Sequence, residues 1–144
     1  MIKRLVSDFS KEDGGLGEDI GLLILRAVFG FSMMYGHGLG KCTKLTGGGE
    51  IKFMNFLGLG EEFSLVLVVF AEVICAILLI LGLFTRWASI PLIITMGVAF
   101  FMVHISDPFG DMEMSLIYLA AYLTVFLLGP GKLSLDYTIW KRID

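Results

Sequence analysis

Five ionisable side chains interrupt apolar stretches of this 144-residue chain: Arg26, His37, Glu72, His104 and Glu113. Imidazole titrates near neutral pH and a desolvated carboxylic acid moves up toward it, so His37, His104 and Glu113 can together relay protons. The same three suit a quinone head, with an imidazole N–H donating to a carbonyl oxygen and a carboxylate accepting from a hydroquinone hydroxyl. Tyr35, Phe100 and Phe101 would then be its apolar walls. Two histidines and a carboxylate also match a metal triad. No HExxH or similar spacing supports that use, which makes it the weakest of the chemical readings. The bland alternative leaves each residue half solvated at a membrane boundary.

The elements that must position these groups are four apolar runs: residues 20–39, 63–84, 87–105 and 112–128. Each lies in the range of roughly 17–25 residues that a membrane-crossing helix needs. Apolar residues make up 56% of the chain and charged ones 17%, against about 25% in ordinary soluble domains. Mean hydropathy is +0.84. Folding leaves roughly a third of the unfolded chain's surface exposed at this size, so the excess must meet lipid. In lipid only helices or closed barrels satisfy their own backbone, and the runs lack strict alternation. The expectation is an all-α transmembrane four-helix bundle, with residues 1–19 as a cytoplasmic tail and 20–144 as the membrane domain. A net charge of −3 offers no basic field and excludes nucleic acid as a partner. Cys42 and Cys75 form neither a CxxC nor a disulfide framework.

Basic residues set the orientation. Lys3, Arg4, Lys11, Arg86, Lys132, Lys141 and Arg142 fall on the side of both termini, and Lys41, Lys44 and Lys52 on the other. Both termini are therefore expected in the cytoplasm. Arg26 lies about 9 Å into the first helix, and Glu72 about 13 Å into the second from the opposite side. In a core about 30 Å thick that leaves an offset of roughly 8 Å, which two extended side chains can close. Arg26 and Glu72 are expected to pair, either as a structural ion pair or as a proton path. His37, His104 and Glu113 share the level of the outer ends, and Glu113, Ala120 and Thr124 make a small or polar stripe on the fourth helix.

The connections carry further signals. Only Thr85 and Arg86 separate the second run from the third, which demands a tight hairpin. Glu50 to Leu57 suggests a short helix lying in the outer interface. The run Gly36-His37-Gly38-Leu39-Gly40 reads as a helix end, in preference to a phosphate loop. Gly129-Pro130-Gly131 stops the fourth helix, and Ser134 can cap a last short helix carrying Leu135, Ile139, Trp140 and Ile143 at the inner interface.

Taken in order, Leu25-Arg26 through Gly36-His37-Gly38 and Lys41, Glu72 with Leu81-Gly82-Leu83-Phe84-Thr85-Arg86, His104, Glu113, and Gly129-Pro130-Gly131-Lys132-Leu133-Ser134-Leu135-Asp136 resemble the DoxX family of small four-helix membrane proteins. The resemblance runs from about Leu22 to Tyr137. It implies respiratory or sulfur redox chemistry, since the family takes its name from a subunit of a thiosulfate:quinone oxidoreductase. Other relatives are linked to oxidative and thiol stress, and distant ones to receptor assembly or cargo export. Such a chain would be a quinone- or thiol-linked redox component of a bacterial inner membrane, with His37, His104 and Glu113 as catalytic candidates. It carries no haem, flavin or iron–sulfur motif, so a quinone or a partner redox subunit would carry the electrons. The alternatives are a non-enzymatic assembly or scaffold subunit and, less favoured, a small transporter completed by a homo-oligomer.

Overall fold

The computed structural model describes residues 15–142. Four helices in it are long and apolar enough to cross a membrane: α1 (Leu16–Thr46), α2 (Glu61–Leu81), α3 (Thr85–Val103) and α4 (Phe109–Leu128). A short α5 (Leu135–Trp140) follows. Among the described residues there is no strand. The helices alternate in direction and leave two ends. One, the loop end, carries the long α1–α2 connection and the α3–α4 connection. The other, the turn end, carries the α2–α3 hairpin and α5.

The expected all-α bundle is present, and most differences lie at the element ends. The glycine run that reads as the end of the first helix is crossed by α1, which continues to Thr46. A lipid-immersed helix must satisfy its backbone internally, so glycines there do not release the chain to water as they would in a soluble protein. The helix accommodates the run with a π turn over Met34–Gly38. The hairpin turns on Gly82, left-handed at φ 67°, one turn earlier than Thr85-Arg86. The expected interfacial helix over Glu50 to Leu57 is absent. A single 3-10 turn, Phe56–Gly58, stands in its place. Side chains take up the backbone groups of this segment: Phe53 N donates to Glu61 Oε2, Phe56 N to Ser64 Oγ and Gly60 N to Asn55 Oδ1. The tail over residues 1–14, with Lys3, Arg4 and Lys11, and Ile143 at the far end lie outside the described residues.

The core runs through Met33, Cys75, Ala76, Leu79, Ala88, Leu92, Met96, Tyr118, Tyr122 and Val125, drawn from all four helices. Glycines bring α1 and α2 close and fix their register. A Cβ on Gly30 would lie 3.0 Å from the Ala76 carbonyl oxygen, and one on Gly38 would lie 2.8 Å from that of Glu72. Close small-residue approaches of this kind replace the hydrophobic force that lipid does not supply.

At the turn end the C-terminal segment is clasped to the bundle. Arg26, wholly buried, donates to the Leu79 carbonyl at 3.3 Å and to the Leu133 carbonyl at 2.6 Å. Asp136 accepts from Phe84 N and Thr85 N at 2.8 and 2.9 Å, capping α3 from a distance in sequence. Asp19 accepts from Lys132 N at 2.7 Å. Ser134 caps α5 by accepting from Tyr137 N, as its position suggests.

Candidate functional site

The loop-end half of the bundle encloses a cavity of about 810 Å³ with contributions from all four helices. That volume is in the upper part of the roughly 300–1,000 Å³ typical of small-molecule sites. Its wall is largely apolar. The polar groups on it are few: His37 and Lys41 from α1, Ser64 and Glu72 from α2, Thr95 from α3, His104 just beyond it, and Asp111, Ser115 and Tyr118 from α4. Phe53, Met54 and Phe56 of the α1–α2 connection complete the lining.

Three helices adopt π turns at this level: Met34–Gly38 in α1, Phe70–Cys75 in α2 and Ala99–Val103 in α3. His37 and Glu72 lie within two of them, and His104 follows the third. An extra residue per turn re-aims the side chains beyond it, a device found often at functional sites.

Glu72 is the deepest charge on the wall, only 2% exposed. It does not pair with Arg26. The carboxylate accepts from Lys41 Nζ through both oxygens, at 2.8 and 2.6 Å. The expected Arg26–Glu72 pair fails because Glu72 lies opposite Gly38. That is 12 residues beyond Arg26 on α1, about 18 Å along the axis. Arg26 instead reaches carbonyls at the turn end. Lys41, two residues beyond the apolar run 20–39, is the partner. Met33, His37 and Lys41 recur every four residues and all line the cavity, a helical signal that the glycines obscured.

Of the three proposed catalytic residues, the structure brings two to the cavity. His37 lines it with its ring edge-on to Tyr118, centroids 5.7 Å apart. His104 lines it too, with Nδ1 2.7 Å from Asp107 Oδ2. Glu113 is exposed and outside the lining. The Glu113–Ala120–Thr124 stripe faces outward, and α4 turns Ser115, Tyr118, Ala121, Tyr122 and Val125 inward. The tyrosines on that face are tied to α1: Tyr122 donates to the Phe29 carbonyl at 3.2 Å, and Tyr118 packs edge-on against the Phe29 ring, centroids 5.4 Å apart. None of the expected wall residues lines the cavity. Tyr35 is exposed and stacked on Phe31, and Phe100 and Phe101 pack edge-on against each other.

No cluster of three or more metal-ligating side chains occurs among the described residues. Cys75 is packed in the core and Cys42 is half-buried, and neither reaches the cavity.

The DoxX family profile matches residues 21–105, which include all of the α1, α2 and α3 contributions to this wall. The chain belongs to the DoxX family. This DoxX protein is 30% identical over 124 residues to "Putative oxidoreductase CatD" of Bacillus subtilis, covering 85% of the chain and 90% of that relative. An "Uncharacterized protein" of Haemophilus influenzae is 29% identical over 134 residues, 88% of each chain. A further "Uncharacterized protein" of that organism is 34% identical over 79 residues, 49% of this chain and 58% of its own length. No solved structure matches this DoxX protein.

Proposed function

We propose that this DoxX protein is the quinone-binding membrane subunit of an oxidoreductase in a bacterial inner membrane, with both termini cytoplasmic. The observation that carries the reading is the Lys41–Glu72 pair, with Glu72 buried, on the wall of a largely apolar cavity of about 810 Å³. A wide apolar space with a few convergent polar groups is what an uncharged head with polar edges requires. Lys41 Nζ is a donor for a quinone carbonyl oxygen, while Glu72 and the imidazole of His37 are acceptors for a hydroquinone hydroxyl. Tyr118, edge-on to His37, adds an aromatic ring to the same wall.

Oxidation of a hydroquinone releases two protons and two electrons. His37 and Glu72 would take the protons at the head, and the His104–Asp107 pair would pass them to water at the loop end. A partner redox subunit would take the electrons. The name of the B. subtilis relative, 30% identical across most of both chains, agrees with redox work. A quinone suits the site better than a thiol partner does, because neither cysteine lines the cavity.

The test is a lipid extract of gently purified protein, assayed for quinone by mass spectrometry. The wild-type chain is expected to retain quinone in near-stoichiometric amount, and Glu72→Gln and His37→Ala to lose most of it while still accumulating in membranes. Equal quinone in all three would overturn the proposal.

A further inference from the structure

The cavity is roofed toward water at the loop end. Phe53, Met54 and Phe56 line it, and their segment is fastened at both sides. Lys44 Nζ donates to the Lys52 carbonyl on the α1 side. On the α2 side, Glu61, Ser64 and Asn55 accept from Phe53 N, Phe56 N and Gly60 N at 2.8 to 3.0 Å. Ser64 Oγ also donates to the Gly60 carbonyl at 2.6 Å, so one hydroxyl ties both ends of the turn.

The flank between α2 and α3 is built differently. The Glu61–Val69 portion of α2 packs against Leu39–Thr46 of α1, whereas α3 packs against the Phe70–Leu81 portion. The loop-end portion of α2 thus belongs to α1, and space remains between it and α3. The lips of that space are apolar residues that line the cavity and are also exposed: Leu67 (40%) and Phe70 (48%) on α2, and Ile94 (54%) on α3. The α3–α4 seam, by contrast, is packed along most of its length.

We propose that the α2–α3 gap is a lateral portal to the bilayer, and that its occupant is the hydrocarbon tail of a lipid-soluble ligand whose head lies at Lys41–Glu72. This deepens the quinone reading and rests on it. The ligand would be a prenylated quinone drawn from the membrane, the head passing between Leu67 and Ile94 and the tail remaining in the gap. A roofed, apolar space of this size has room for the first tail units beside the head. Because the tail leaves one lipid-like environment for another, the portal adds little affinity of its own. Its effect is steric, and blocking it should discriminate by tail.

The experiment uses the full chain in nanodiscs and measures equilibrium binding of two quinones with the same ring, one with a long prenyl tail and one without a tail. Ile94→Trp fills the gap from α3, and Leu67→Trp fills it independently from α2. Both positions are exposed to lipid, so the bulk is tolerated by the fold. Each variant is expected to weaken the long-tailed quinone by about tenfold and leave the tail-less one unchanged. Leu123→Trp, on an exposed position of α4 outside the cavity lining, is expected to leave the long-tailed quinone unchanged. If both portal variants bind the long-tailed quinone like wild type, the portal is wrong and the quinone reading stands. If wild type binds neither quinone, both readings fall.

Discussion

Lys41 and Glu72 are paired but unequally buried, 28% and 2% exposed, and the inequality fixes what each substitution should do. Lys41→Met leaves a carboxylate with no cation inside an apolar wall. Stripping one partner from a buried pair costs about 3–5 kcal/mol, because the other charge remains in place. Glu72→Gln leaves an ammonium on a flexible stem near the loop end, where it can turn to water, and should cost about 1 kcal/mol. At roughly 3 °C per kcal/mol for a chain of this size, Lys41→Met should lower Tm by about 9–15 °C and Glu72→Gln by about 3 °C. The double variant Lys41→Met/Glu72→Gln removes both charges and should recover most of the loss, a coupling of a few kcal/mol. Thermal unfolding in detergent, followed by circular dichroism, measures all three. Equal losses from the two single variants, adding in the double, would show that the pair is not buried together and would refute the reasoning.

Gly82→Ala would place a Cβ 2.1 Å from Arg26 Nη1 at a φ of 67°. Left-handed strain of about 1–2 kcal/mol, together with displacement of a buried guanidinium, should lower Tm well below that of Gly48→Ala. Gly48 shares the positive φ but has nothing within 4 Å, so comparable melting of the two would remove the clash argument. Asp136→Ala takes the acceptor from two N–H groups at the start of α3 and should cost about 0.5–2 kcal/mol in the same assay. Glu113→Gln, on an exposed face, should change stability by less than about 0.5 kcal/mol and leave quinone retention intact. Loss of quinone in that variant would restore Glu113 to the site.

The membrane fold was legible because it depends on run length and hydropathy, and both survive any error in helix rotation. The site was legible only in part. Residue type and level along the helices point to His37 and His104, and both line the cavity. A small or polar stripe in a bundle suggests an inward face at Glu113, yet α4 turns Tyr118 and Tyr122 inward and that stripe outward. Depth counted from the helix ends pairs Arg26 with Glu72, whereas the register is set by Gly30 and Gly38 against α2. Lys41 was hidden by glycines that end helices in water and not in lipid. The aromatic lining comes partly from Phe53 and Phe56, in a connection whose shape depends on the Glu61 and Ser64 side chains at the start of α2.

Photolabelling by an azido-quinone in native membranes, with peptide mapping of the adducts, tests most directly whether the cavity beside Glu72 holds a quinone. Adducts are expected on the segments containing Phe53–Phe70 and Pro91–Val98, reduced by excess unlabelled quinone and by Glu72→Gln. Labelling confined to the outward face around Phe31 and Tyr35, insensitive to both, would contradict the account.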